Sequence, residues 1–229
     1  MFSGPDLILA CPHCAAPARL FQLDSGNPLG AVTWSDGWQD APMMPRPPRL
    51  ARCAGCAQIF WTWTAPQLGY APPPDLAPPE QAAWKDAPML EPLDEAGVAE
   101  ALAAGLGETP DLEMELRVLM WWRGNDAFRR ADAPVGHATS PGAMANMERI
   151  IEMMKEGEED LLLFRAEAQR ELGRFDDARA TLQGVCCSDW WPAKSRLLGF
   201  MEAGDRKVRV LFSAEDAVVA PEEGIEPTT

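Results

Sequence analysis

Two Cys-x-x-Cys pairs, Cys11/Cys14 and Cys53/Cys56, stand 38 residues apart, and no other feature of the 229-residue chain restricts its fold as tightly. A two-residue spacer lets both thiolates of a pair face one ion from a single tight turn. Two such turns complete a tetrahedron with Zn–S bonds of about 2.3 Å. Four thiolates leave no open position for water, so Cys11, Cys14, Cys53 and Cys56 are expected to hold a structural Zn2+ rather than a catalytic one. Six cysteines, four of them paired in this way, read as metal ligands in a reducing compartment and not as disulfides. His13 lies inside the first turn and could replace Cys14 as a ligand, although the exposed side of the turn suits it better.

Around these turns the first 64 residues form short, turn-punctuated segments. Strand-forming residues recur at Leu7–Leu9, Leu20–Leu23, Ala31–Trp34, Leu50–Arg52 and Ile59–Thr64. Between them lie the turn sequences Ser25-Gly26-Asn27-Pro28 and Ser35-Asp36-Gly37. So small a β unit is short of core, and a metal staple supplies what burial cannot. Residues 1–68 are therefore expected to be a small antiparallel β domain with a long insertion between its cysteine turns. Rubredoxins also use two such turns, to hold iron. Theirs favour Gly after the second Cys, whereas Ala15 and Ala57 stand there here, so an electron carrier is the lesser alternative.

Eight of the 22 prolines fall between residues 65 and 92. Proline fixes φ and removes a donor, so 69–92 reads as a semi-rigid connector that Trp84 and Leu90 could pin to a neighbouring surface. The apolar period then becomes helical. Helices are expected at 93–106, from Thr109-Pro110, from Ser140-Pro141 to Gly157, at 158–172, at 175–185 and after Pro192. Val208–Phe212 is apolar without a decided form, and the acidic residues 214–229 read as a disordered tail. The fold class is thus α+β: a β domain, a connector, and an all-α helical-hairpin domain over 93–213. Read this way the halves are separate modules, and loss of the metal should unfold only the first.

Within the helical half, Ala166, Gly173, Phe175 and Ala178 fall in the order that a tetratricopeptide repeat uses for helix contact, turn and re-entry, and the segment resembles one. Arg165 departs from the pattern, standing where a large apolar residue is usual. Only one repeat is recognisable, whereas such stacks need about three. The whole chain also resembles a group of bacterial proteins that join an N-terminal zinc ribbon to such helices. The phrases Ser25-Gly-Asn-Pro-Leu-Gly30, Trp34-Ser-Asp-Gly37 and Cys53-Ala-Gly-Cys-Ala-Gln-Ile-Phe-Trp61 carry that likeness. It implies an architecture and no activity.

Chemistry-bearing residues are otherwise sparse. His137 is the one histidine outside the first cysteine turn, and no glycine-rich phosphate loop is present. A non-enzymatic protein without a small-molecule substrate is expected. Net charge is −15, and residues 1–70 are neutral, so the acid lies in the helical half. An acidic body repels phosphate backbones and suits solubility or a basic protein partner. The insertion, by contrast, displays Trp34, Trp38, Met43, Arg46 and Arg49, residue types favoured at binding hot spots. These five are the expected partner-binding residues of a protein-interaction adaptor. The competing reading roofs a tiny core with some of the tryptophans, helped by Trp61 and Trp63. Arg46, Arg49 and Arg52 could instead touch phosphates, which keeps a nucleic-acid-associated ribbon with acidic regulatory helices as the alternative.

Of Trp121-Trp122 and Trp190-Trp191, one member each is expected in the core, since adjacent helical residues point about 100° apart. Cys186 and Cys187 read as small buried residues, and Met144, Met147 and Met154 as core. The opening residues do not read as a secretory signal, and no run approaches a membrane span. A cytoplasmic location without membrane contact is expected.

Overall fold

The structure is a computed structural model that describes residues 1–71, 82–129, 136–154, 159–213 and 216. The middle of the proline connector, Gly157 and all of the expected tail but Asp216 lie outside the described residues. The described chain is mixed α+β, with small antiparallel sheets and a set of packed helices.

Strand β2 (Leu7–Ala10) is buried along its whole length because it is the middle strand of a three-stranded sheet, between β3 (Pro17–Leu20) and β9 (Gln67–Tyr70). Burial on both faces explains the unbroken apolar run Leu-Ile-Leu-Ala. A second hairpin pairs β7 (Leu50–Arg52) with β8 (Ile59–Trp61). Each hairpin is closed by one cysteine turn, and Leu7, Leu9, Ala51 and Phe60 pack with Cys11 and Cys53 in one core. The end of the connector is strapped to this sheet. Arg19 donates its N–H to Pro88 O, Leu90 donates to Arg19 O, and Leu90 is buried in the same core. At the amino-terminal end, β1 (Phe2–Ser3) pairs with β4 (Leu23–Ser25).

The insertion builds its own sheet from β5 (Val32–Trp34) and β6 (Gln39–Asp40), joined by the Ser35–Gly37 turn. Its third strand is β10 (Val210–Phe212), which runs antiparallel to β5 from the far end of the chain. This is the form of the apolar run 208–212 that the sequence left undecided.

The helices are α1 (Ala82–Lys85), α2 (Glu95–Ala103), α3 (Pro110–Arg129), α4 (Pro141–Met153), α5 (Glu159–Glu171), α6 (Phe175–Leu182) and α7 (Trp191–Glu202). Their starts follow capping chemistry. Thr109 Oγ1 accepts from Leu112 N–H and Ser140 Oγ from Ala143 N–H, each just before a proline at the first helical position. Asp94 is the N-cap of α2, accepting from Gly97 N–H at 2.8 Å, so that helix begins later than its first acidic residues suggest. From α2 to α6 each helix packs on the next, and α7 packs on α5 and α6. The α5–α6 hairpin turns at Gly173, whose φ of 81° suits glycine, and brings Ala166 and Ala178 together, both fully buried.

The β and α parts share a core. Leu50, Ile59 and Trp61 pack with Val98, Ala101 and Leu116, and the Trp61 indole donates to Leu106 O at 3.2 Å. Three expectations about side chains fail. Trp190 and Trp191 are both exposed, at 40% and 63%. Cys186 and Cys187 are exposed because Val185 takes the core position and the chain then turns outward, its amides donating to Glu159 Oε2 at 2.9 and 2.7 Å. Met144 is also exposed, while Met147 and Met154 enter the core as expected and Trp121 is the member of its pair that does so.

Candidate metal centre, a buried ionic network and a basic cleft

Cys11, Cys14, Cys53 and Cys56 offer four sulfurs that all lie within 4.8 Å of one another. Cys11 and Cys56 are 3.8 Å apart and Cys14 and Cys53 3.6 Å. A tetrahedron with Zn–S bonds of about 2.3 Å has sulfur–sulfur edges of about 3.8 Å, which these two pairs match, so the cluster could hold a metal ion. The two turns are copies in hydrogen bonding. Cys11 N–H donates to Ala16 O and Ala15 N–H to Cys11 O; Cys53 N–H donates to Gln58 O and Ala57 N–H to Cys53 O. The first cysteine of each turn is buried, while Cys14 is exposed and Cys56 half-buried, so the site sits where the core meets the surface.

The thiols are unequal. Burial opposes the Cys53 thiolate, but the amides of Cys56 and Gly55, with Cys11 and Cys14 beside it, outweigh burial and bring its pKa down to about 7. The Gly55 amide lies 3.3 Å from Cys53 Sγ. Burial pushes the Cys11 thiol up. Such N–H···S contacts are the partners that stabilise a metal-bound thiolate.

Ala15 and Ala57 hold φ of 58° and 62°, the left-handed region. The turn therefore needs the conformation that glycine adopts freely, and alanine accepts the strain. Ala57 is exposed. Ala57→Gly is expected to raise the stability of the metal-loaded protein by roughly 0.5–1 kcal/mol, the relieved strain less the extra freedom of glycine in the unfolded chain. A thermal melt checks it, and a lower Tm would mean that the methyl group makes contacts worth more than the strain.

The insertion is anchored by buried charge. Asp36, in the β5–β6 turn, has no exposed surface. One of its carboxylate oxygens accepts from Trp38 N–H at 3.1 Å; the other accepts from Asn125 Nδ2 at 3.0 Å and from the Arg129 guanidinium. Asn125 also donates to Glu171 at 3.1 Å, and Glu171 accepts from the Trp121 indole at 3.1 Å. Beside them Glu167 and Arg170 pair at 2.6 Å in full burial. Burial pushes Asp36 up to about 6 against the pull of Arg129 and Asn125. Burial, with Glu167 and Asp36 nearby, holds Glu171 well above the usual carboxylate range. Gly37 closes this turn at φ 77°, and a Cβ there would lie 2.2 Å from the Phe164 ring.

Between the insertion and helices α2 and α3 lies a cleft of about 330 Å³. Trp38, Arg46 and Arg49 line it, as do Met44, Leu119 and Trp122. Trp38 meets Trp122 edge to face at 5.3 Å, and Arg123 stacks over Trp38 at 4.9 Å. Arg49 lies 4.5 Å over Trp63 and bonds Glu115 at 3.1 Å, while exposed Arg46 bonds the neutral amide of Gln39 at 3.1 Å. Trp34 and Met43 are half-buried and lie outside the lining. Trp34 lies under Arg129 at 5.9 Å, and its buried indole N–H has no hydrogen-bond partner. Trp61 is in the core and Trp63 is 46% exposed.

The opposite wall was not foreseen. Arg123 and Leu119 come from a helix read only for its apolar face. The sequence Ser35-Asp36-Gly37 predicts a turn, and nothing in a lone Asp before Gly announces a buried counter-ion. His137 is buried in contact with Glu95, 3.2 Å away, with no nucleophile beside it among the contacts described. Compared with protein-family models, curated proteins and solved structures, the chain matches none. Among the described residues no helix is long and apolar enough to cross a membrane.

Proposed function

We propose that the protein is a non-enzymatic, zinc-binding protein-interaction adaptor of the cytoplasm, a zinc ribbon followed by tetratricopeptide-like helical hairpins. The observation that carries this reading is the cleft. Three of the five insertion residues expected to bind a partner, Trp38, Arg46 and Arg49, wall one cavity against α2 and α3. The cysteine turns support zinc in a structural role, since four thiolates gathered within 4.8 Å of one another would fill a tetrahedral ion's coordination and leave no site for substrate. The Gly173 turn and the buried Ala166 and Ala178 support the tetratricopeptide-like reading of α5–α6.

The nucleic-acid alternative is weakened by ion pairing. Arg52 pairs with Glu100 at 2.7 Å and Arg49 bonds Glu115, whereas Arg46 bonds the amide of Gln39. Two experiments test the proposal. Elemental analysis of purified protein is expected to give one zinc per chain, and iron with visible colour would replace the adaptor by an electron carrier. Cross-linking in cells followed by affinity purification of the tagged full chain is expected to recover the same protein partner repeatedly. Recovery of none above an untagged control would remove the adaptor reading.

A further inference from the structure

Resting on that adaptor reading, we propose that the cleft is a docking site for an acidic peptide segment that inserts one bulky apolar side chain. Its interior is apolar, formed by Leu50, Leu93, Val98 and Leu119 with the Trp38–Trp122 pair at one side. A volume of about 330 Å³ stands at the small end of ligand pockets, which run from roughly 300 to 1,000 Å³. It admits a large side chain rather than a folded element.

Charge complementarity supplies the sign of the partner. The chain carries −15 overall, yet the charged residues that line this cleft are Arg46, Arg49 and Arg123 against the single Asp40; Arg49 pairs with Glu115 and Arg123 with Asp126, carboxylates that stand outside the lining. Arg46 is exposed and bonds only a neutral amide in the contacts described, so its charge faces no carboxylate there. Arg123 is held in place both by stacking over Trp38 and by Asp126 at 2.9 Å, so a partner carboxylate would share it with that acid, and Arg46 is the principal contact for the incoming charge. The basic lining lies within an otherwise acidic molecule, which repels long polyanions and favours a short acidic stretch.

The proline wall fixes the mode of recognition. Pro42, Pro45, Pro47 and Pro48 line one side and carry no backbone N–H. A partner strand cannot complete a ladder along that wall, so affinity has to come from a side chain in the pocket and carboxylates on the rim.

Selection of a random-peptide phage library against immobilised, metal-loaded full-length protein tests this. The enriched peptides are expected to share acidic residues flanking one Trp, Phe or Leu. Calorimetry with the synthetic consensus peptide should show affinity that falls as salt rises. Arg46→Glu should weaken it by about tenfold or more, because a rim contact is then reversed in sign, while Arg46→Lys keeps most of it. Arg179→Glu, on α6 away from the cleft, serves as the control, and thermal melts verify that each variant folds. Neutral or basic consensus sequences, no enrichment, or binding indifferent to Arg46→Glu would overturn the inference. So would an oligothymidylate that binds with the Arg46 dependence in place of any peptide. Peptides that bind without regard to Arg46 would overturn the cleft assignment yet leave the adaptor reading standing, which the cross-linking experiment judges by itself.

Discussion

Cys53→Ser is expected to unfold the β region and the helices it packs on in a single transition, rather than the first 68 residues alone. Cys53 is 4% exposed and packs with Leu7, Leu9 and Phe60, so the substitution alters a core contact as well as removing one thiolate from the candidate metal site. Metal binding of this kind contributes on the order of 10–16 kcal/mol, against a total stability of about 5–15 kcal/mol for a domain. Without it the β7–β8 hairpin has nothing to close it. That hairpin supplies Leu50, Ile59 and Trp61 to the cluster that buries Val98, Ala101 and Leu116. The helical half also surrenders β10, which is paired to β5 of the insertion. The measurement is a melt followed at two wavelengths, far-ultraviolet dichroism for the helices and tryptophan fluorescence for the core. Coincident loss is the expected result, and a surviving helical transition at the wild-type temperature would mean that the halves are independent modules.

Asp36→Ala is the second large effect expected. It leaves Trp38 N–H without its acceptor and takes one carboxylate acceptor from Asn125 Nδ2, which keeps Glu171, and from the Arg129 guanidinium, which keeps Asp126 and whose side chain is only 4% exposed. Removing one partner of a buried pair costs about 3–5 kcal/mol. Asp36→Asn keeps an acceptor oxygen in place and should cost far less. Glu171→Gln should be tolerated within about 1 kcal/mol, because burial disfavours the Glu171 charge and the amide keeps the shape of the side chain with an oxygen that can accept from both Trp121 and Asn125.

The pH dependence follows from the same group. Asp36 has a pKa of about 6 in the folded protein against an ordinary value of 3.8, so the fold takes up a proton. Its contribution to stability is fully present below the ordinary value and is lost as pH rises through about 6. With metal kept in excess, wild-type protein should lose stability between pH 5 and 7 relative to Asp36→Asn, in which this slope is absent. Chemical denaturation at both pH values reads the difference directly, and parallel curves would contradict it.

How far the sequence reached can be judged residue by residue. Local grammar was readable: the cysteine spacing placed four sulfurs together, and Thr109-Pro110 and Ser140-Pro141 marked helix starts to the residue. Helical geometry also says that one of Trp121 and Trp122 enters the core without saying which, and Trp121 is the one buried. What could not be read were pairings between distant parts of the chain. Val210–Phe212 became a strand because β5 offered an open edge, and no local pattern encodes a partner that far away. Asp36 lies in a turn whose sequence explains its backbone and says nothing of Arg129, which is brought to it by α3. The cleft was half seen for the same reason. Trp38, Arg46 and Arg49 stand close in sequence, whereas Leu119, Trp122 and Arg123 join them only through packing. Cys186 and Cys187 show the limit of composition, since an apolar residue type was read as buried and the chain turned outward instead.

The central claim is that the four-cysteine cluster is a closed metal site whose integrity holds the rest of the molecule together. Counting reactive thiols against loss of structure tests it most directly. In the metal-loaded protein, Cys186 and Cys187 are exposed and should react quickly with a chromogenic disulfide reagent, while Cys11, Cys14, Cys53 and Cys56 stay protected. Adding a chelator should release those four in step with the disappearance of the near-ultraviolet dichroism signal. Fast reaction of all six before chelation, or release of the four with that signal intact, would contradict the account.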